Sequence, residues 1–284
     1  MPWTGTAHVS ARCRVPVIST NGPMNTDVQQ AASDLLCDLW AAGRHIDQLP
    51  PELRPATRAD GYAIQALVEG RSSSSLFGWK IAATSTAGQA HIQVDGPLAG
   101  RILAERVIEN GGECSLQGNL MRVGELEFAF RMSRDICPRP APYTVAEVMQ
   151  EVATLHPAIE MPDSRLAAFE RAGAAALIAD NACARDFLLG PACPPLWRSL
   201  NLATHEVWGY IGDRPPRLGI GGNALGDPRI ALAWLANELS RYGMTLRAGE
   251  VVTTGTCLVP LPLEAGDRLR GDFGILGQVS VTFT

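Results

Sequence analysis

Met121-Arg-Val-Gly-Glu-Leu-Glu-Phe-Ala-Phe-Arg131 changes character at every second residue. In an extended chain Leu126, Phe128 and Phe130 point to one face, and Glu125, Glu127 and Ala129 to the other. The spacing predicts a strand with an apolar face and an acidic one. Two carboxylates on one pleated face repel each other unless a positive group lies between them. A divalent cation fills that role, because hard carboxylate oxygens suit Mg²⁺ or Mn²⁺. A solvated strand face would carry the same Glu-x-Glu pattern.

Two further charged residues sit inside apolar strand-like runs. Glu160 lies in Leu155-His-Pro-Ala-Ile-Glu-Met161 and Lys80 in Leu76-Phe-Gly-Trp-Lys-Ile81. A buried charge is costly without a partner. Glu160 would be satisfied as a third ligand to the same cation. Lys80 would be satisfied by a carboxylate or an anionic substrate, or as an edge-strand residue with its ammonium in water. Asp163 and Arg165 follow Glu160 and read as a surface ion pair. His91 reads as a lone surface histidine.

Composition narrows the class. The 284 residues are 46% apolar and 19% charged, with a net charge of −5. This suits a globular protein and gives no sign of nucleic acid binding. No apolar run reaches the roughly 18 residues of a membrane span. The seven cysteines are dispersed without a C-x-x-C pair, which fits a reduced, cytoplasmic chain with buried thiols. Residues 1–24 read as a disordered tail, or as an upstream stretch with the true start at Met24.

Helix signals come first in the chain. Thr26-Asp-Val-Gln29, Thr57-Arg-Ala-Asp60 and Thr144-Val-Ala-Glu147 read as capping boxes, and Asp227-Pro-Arg229 as a cap with Pro at the first position. The first helix would stop at Gly43, the second near Gly70 and the Ser72–Ser75 run, and the third at Val152. Residues 25–75 therefore form a small helical N-terminal region before the first clear strand. Residues 82–120 read as loop with short strands at 103–108 and 116–120. Asp180 and Asn181 reach a pocket or make a turn. Residues 204–220 predict an antiparallel pair, 251–256 a strand ending in a Thr-Gly-Thr turn, and 278–283 a closing strand. That turn could offer N–H groups and hydroxyls to an anion.

Gly78-Trp-Lys-Ile-Ala-Ala-Thr-Ser85, Gly124-Glu-Leu-Glu-Phe-Ala-Phe130, His156-Pro-Ala-Ile-Glu-Met-Pro-Asp-Ser-Arg165, Ala179-Asp-Asn-Ala182 and Gly249-Glu-Val-Val-Thr-Thr-Gly-Thr256 occur in that order. Over residues 28–284 this resembles the 2-keto-4-pentenoate hydratase and 4-oxalocrotonate decarboxylase branch of the fumarylacetoacetate hydrolase superfamily. The resemblance implies an α+β fold. It would be a mixed β-roll with flanking helices over residues 76–284, behind the small helical region. It implies Mg²⁺ or Mn²⁺ held by Glu125, Glu127 and Glu160, Lys80 as the active-site lysine, and Gly255 and Thr256 near the substrate carboxylate.

The implied activity is metal-dependent hydration of a 2-hydroxy-2,4-dienoate to a 4-hydroxy-2-oxo acid in aromatic catabolism. A 2-oxo acid decarboxylase or an acylpyruvate-type hydrolase would use the same site, and a non-catalytic partner subunit is a third reading. A homo-oligomer, with or without a sister enzyme, is also implied. Two positions depart from the family pattern. Leu98 stands where an acid is expected, with Asp95 nearby, and Cys183 replaces a serine.

Overall fold

A computed structural model describes residues 24–284; the N-terminal tail or early start lies outside the described residues. Helix α1 (Thr26–Ala42) buries Ala32, Leu36 and Leu39 on one face, and Gly43 ends it. Its cap is Asn25, one residue before the expected Thr26, with the Asn25 side chain accepting from Asp27 N at 2.7 Å. Helix α2 (Arg58–Ala66) has the expected Thr57–Asp60 capping box and runs on as a 3-10 turn to Arg71.

The strands are β1 (Gly78–Ala82), β2 (Leu98–Ile102), β3 (Val107–Ile108), β4 (Glu113–Cys114), β5 (Val123–Met132), β6 (Val152–Met161), β7 (Asp186–Leu189), β8 (Glu206–Ile211), β9 (Arg217–Ile220), β10 (Val251–Thr256), β11 (Leu261–Pro262), β12 (Arg268–Asp272) and β13 (Gln278–Phe283). The larger sheet runs β2-β1-β10-β5-β6-β7-β3, with β11 also on β5; the second runs β4-β13-β12-β8-β9. Helices α3 (Thr86–His91), α4 (Val145–Gln150), α5 (Ala174–Ala179) and α6 (Pro228–Arg241) complete the mixed α/β architecture.

The two faces of β5 separate as the alternation predicts. Leu126, Phe128 and Phe130 enter the main core cluster, where Phe128 meets Phe273, just beyond the end of β12, edge-on at 5.2 Å between ring centroids. Ala129 joins a small cluster on the opposite face with Ile102, Ala158, Phe187 and Val251. A third cluster packs α1 and α2 against Leu166 and α5. Among the described residues, no helix is long and apolar enough to cross a membrane.

Several local expectations are corrected. Residues 86–91 are helical because Ser85 caps them, its hydroxyl accepting from Gly88 N at 3.0 Å. The strand read at 103–108 shrinks to Val107–Ile108, after a 3-10 turn at 104–106. Its partner is the distant β7, which local pattern cannot reveal. The strand read at 116–120 is absent, and pairing falls instead on Glu113–Cys114. Helix α4 stops at Gln150, since Val152 already belongs to β6. Strand β12 was not anticipated, because Arg268, Arg270 and Asp272 on its outer face dilute its apolar signal.

Candidate functional site

Antiparallel register on β5 and β6 sets Glu125 opposite Glu160 and Glu127 opposite Ala158. Ligand atoms of Glu125, Glu127 and Glu160 all lie within 4.8 Å of one another. Glu127 and Glu160 are almost fully buried, while Glu125 is half-buried. Parallel pairing of β1 with β10 brings Lys80 alongside Thr253. Lys80 Nζ lies 3.2 Å from Glu160 Oε2 and donates to the Ala182 carbonyl at 3.0 Å. The edge-strand reading of Lys80 therefore fails, because β1 lies between β2 and β10.

Glu127 is held by one oxygen only. Its Oε2 accepts from the Gly255 N–H at 2.7 Å and from the Thr253 hydroxyl. Its Oε1 and Glu160 Oε1 are buried without a hydrogen bond among the described residues, and Glu160 Oε2 has only the Lys80 ammonium. Buried carboxylate oxygens without donors are costly. Two such orphans, in a cluster where ligand atoms of all three glutamates lie within 4.8 Å of one another, fit a divalent cation with oxygen ligands.

The electrostatics agree. Burial, then the neighbouring Glu125, pushes the Glu127 carboxyl up to about 8, against the pull of Thr253 and Lys80. Burial also raises Glu160 well above the carboxylate range, with Lys80 opposing and the other two glutamates adding to the rise. For Lys80 burial acts downward, yet Glu160 and Glu125 outweigh it and hold the ammonium protonated. One cation among three carboxylates leaves an excess of negative charge.

A strained turn backs the lysine. Asn181, Ala182 and Cys183 have φ of 55°, 48° and 61°, three successive non-glycine residues in the left-handed region. The Asn181 side chain clamps the backbone of Arg101 on β2, accepting from its N–H at 2.7 Å and donating to its carbonyl at 2.9 Å. Gly100 permits this approach, since a Cβ there would lie 2.3 Å from Asn181 O. The Ala182 carbonyl is thereby aimed at Lys80. Burial pushes the Cys183 thiol up to about 12, which makes it a poor nucleophile.

Other candidates fall elsewhere. Asp163 and Arg165 are buried rather than a surface pair. Arg165 binds Asp180 through its guanidinium and backbone N–H, and Asp163 faces His45 and Arg185. Asp180 is thus a structural anchor. Asp95 is exposed on Arg58 at 2.5 Å, so it does not replace the acid missing at Leu98, and Leu98 is fully buried in the main core. His91 is exposed, beside Phe169. In the Thr-Gly-Thr turn, the Gly255 N–H is spent on Glu127 and the Thr256 hydroxyl on the Leu258 carbonyl at 2.6 Å. Sequence reasoning missed Thr253. Its signal was register, because Thr253 pairs with Ala129 on the acidic face of β5.

No family model matches the chain. It is 33% identical to 2-keto-4-pentenoate hydratase 1 of Dechloromonas aromatica, over 89% of this chain and 96% of that protein. It is 30% identical to 2-keto-4-pentenoate hydratase of Burkholderia vietnamiensis, over 88% and 95% respectively. The fold resembles 4-oxalocrotonate decarboxylase from Pseudomonas putida G7 complexed with magnesium and adipate. The TM-score is 0.84 at 23% identity, covering 93% of this chain and all of that one. A second structure of that decarboxylase holds calcium and acetate.

Proposed function

Because the chain belongs to the 2-keto-4-pentenoate hydratase family, we propose that it is a hydro-lyase of aromatic catabolism that adds water to a 2-hydroxy-2,4-dienoate. The product would be a 4-hydroxy-2-oxo acid. The observation that carries the reading is the convergence of three glutamate carboxylates, two of them with an unpaired buried oxygen, beside a buried, protonated lysine.

Glu125, Glu127 and Glu160 would hold Mg²⁺ or Mn²⁺, the hard ions that oxygen ligands favour. When bound, the ion supplies Lewis acidity to the oxygens of a 2-oxo acid. The chain's own residues do the rest. Gly255 and Thr253 fix one Glu127 oxygen and leave the other directed at the cluster. Lys80, fixed by Glu160 and Ala182, is the candidate to deliver a proton to the terminal carbon as the dienol ketonises. It regains that proton from the 2-hydroxyl, and water then adds at C4 with its hydrogen ending on C3. Atoms and charge balance, one water being consumed. Gly255 borders this site through its N–H to Glu127, and the Thr256 hydroxyl follows it in the same turn.

Decarboxylation of a related 2-oxo acid is the second reading. It is favoured by Leu98, which puts a buried apolar side chain where the hydratase pattern has an acid. A cytoplasmic homo-oligomer, built from a helical region (25–75) and a β-roll domain (76–284), is the organisation this reading carries. The test is turnover of 2-hydroxypenta-2,4-dienoate with and without added Mg²⁺ or Mn²⁺, with product identification. Metal-dependent formation of a 4-hydroxy-2-oxo acid is expected. CO₂ release from 4-oxalocrotonate without any hydration would replace this reading with the second.

A further inference from the structure

Beside the carboxylate cluster, Thr84 has a hydroxyl that the protein itself does not use. The residue is 94% buried, with 6% of its surface exposed, yet its side chain makes no hydrogen bond among the described residues. The neighbouring threonines differ. Thr253 donates to Glu127, Thr254 to the Phe128 carbonyl, and Thr256 to the Leu258 carbonyl. The residue is enclosed, yet its hydroxyl oxygen is not sealed off, so a ligand or water can reach and complete it.

Two strained positions and a glycine with positive φ converge to seat this side chain. Ala83 has φ 56° and turns the chain sharply after β1. Leu225 has φ 51°, and its N–H donates to the Thr84 carbonyl at 3.0 Å, fixing the residue from the other side. Gly255 has φ 101°, and a Cβ there would lie 2.1 Å from Thr84 Oγ1, so only glycine leaves room for the hydroxyl. Residues held in sparsely populated backbone regions persist where the surroundings over-determine them, and they cluster at ligand sites. Gly255 is also the residue whose N–H holds Glu127. The Thr84 hydroxyl therefore lies against the same turn that positions the acidic cluster.

We propose that Thr84 is a substrate-binding residue whose hydroxyl donates a hydrogen bond to the carboxylate of a 2-oxo acid bound at the glutamate cluster. The proposal rests on the function proposed above. It moves the contact expected of the Thr-Gly-Thr turn onto Thr84, because that turn's own Gly255 N–H and Thr256 hydroxyl are engaged within the protein. Threonine suits the position. Its methyl group packs against Gly255 and locks χ1, which leaves the hydroxyl pre-aimed.

The experiment compares wild type with Thr84→Val and Thr84→Ser. Binding of 2-oxopentanoate, a saturated 2-oxo acid that cannot be hydrated, is measured by calorimetry with Mg²⁺ present. Mn²⁺ affinity is measured separately by electron paramagnetic resonance, and KM and kcat with 2-hydroxypenta-2,4-dienoate. Loss of one hydrogen bond predicts about tenfold weaker 2-oxopentanoate binding and a similar rise in KM for T84V, with Mn²⁺ affinity unchanged. T84S should recover most of the loss. Equal 2-oxopentanoate affinity in T84V and wild type overturns the proposal, as does a T84S defect as large as that of T84V. Should T84V fail to fold, the pair Thr84→Ala and Thr84→Ser makes the same comparison. Wild-type protein that binds Mn²⁺ but neither 2-oxopentanoate nor the dienoate overturns the underlying functional reading, and this proposal with it. Wild-type turnover with an unaffected T84V overturns this proposal alone.

Discussion

Glu125 and Glu160 are register partners across the antiparallel pair β5–β6, so two carboxylates face each other directly on adjacent strands. Like charges in that position destabilise a sheet, and here Glu127 adds a third. The fold tolerates the arrangement because Lys80 offsets part of the charge and because a cation can neutralise the rest. Mg²⁺ or Mn²⁺ should therefore raise the melting temperature, and EDTA should lower it. At a concentration about 100-fold above Kd, the gain should be on the order of 2.7 kcal/mol. Glu127→Gln and Glu160→Gln should lose most of this response while the metal-free variants stay folded, since each removes a buried charge. Calorimetry with and without metal decides the matter. A wild-type melting temperature indifferent to both ions would sink the site.

The pH dependence has a definite sign. The Glu127 carboxyl is raised in the folded protein to about 8, chiefly by burial, from an ordinary value near 4.5. The folded state then binds the proton more tightly than the unfolded chain does. This contribution is complete below about pH 4.5 and is lost as pH rises toward 8. Metal-free protein should thus lose stability across that window, and saturating metal should flatten the loss. Urea melts at several pH values, in EDTA and in Mg²⁺, test it. Rising metal-free stability toward pH 8 would contradict the buried, cation-starved cluster.

Lys80→Ala should separate chemistry from metal binding. Without the ammonium, Glu160 loses its only ion-pair partner among the described residues. The glutamate set remains, so Mn²⁺ should still bind. Turnover should fall by about 10²–10⁴, the usual contribution of a positioned proton donor. Wild-type rates in this variant would reduce Lys80 to a strand residue.

Arg165 and Asp180 test the structural half of the region. The guanidinium and the carboxylate are both almost fully buried, and Asp180 also accepts from Ser164 Oγ at 2.7 Å. Arg165→Ala would leave the carboxylate uncompensated and should cost about 3–5 kcal/mol. Denaturant unfolding measures the loss. A variant of wild-type stability would show that Asp180 finds another partner.

Grafting the missing acid should fail for a packing reason. Leu98 is fully buried and belongs to the main core, paired with Ala82 of β1. Leu98→Asp would put a carboxylate in place of a fully buried apolar side chain, at a cost of several kcal/mol. Soluble expression and urea unfolding report the outcome. A stable, more active variant would mean that position 98 opens onto the site.

Much of the site was legible because it rests on local rules. Alternation separated the acidic face of β5 from its apolar face. A charge inside an apolar run singled out Lys80 and Glu160. Capping chemistry located α2 and α4 at Thr57 and Thr144, and Asp227-Pro228 opened α6. The short strands β3 and β4 were misread because two-residue strands exist only through distant partners, β7 and β13. Asp163 and Arg165 were misread because neighbours in sequence need not pair with each other once buried.

By itself the sequence determined which residues are acidic, which face of β5 they share, and the helix starts, all within the reach of one turn or one pleat. The direction of each donor was decided only by tertiary structure. Gly255 N–H and the Thr253 hydroxyl turn to Glu127, and Thr84 is left free, through contacts between β1, β5, β10 and the 221–226 turn. The physical reason is register. A one-residue slip between β5 and β10 would keep every local pattern intact and part the Gly255 N–H and the Thr253 hydroxyl from Glu127.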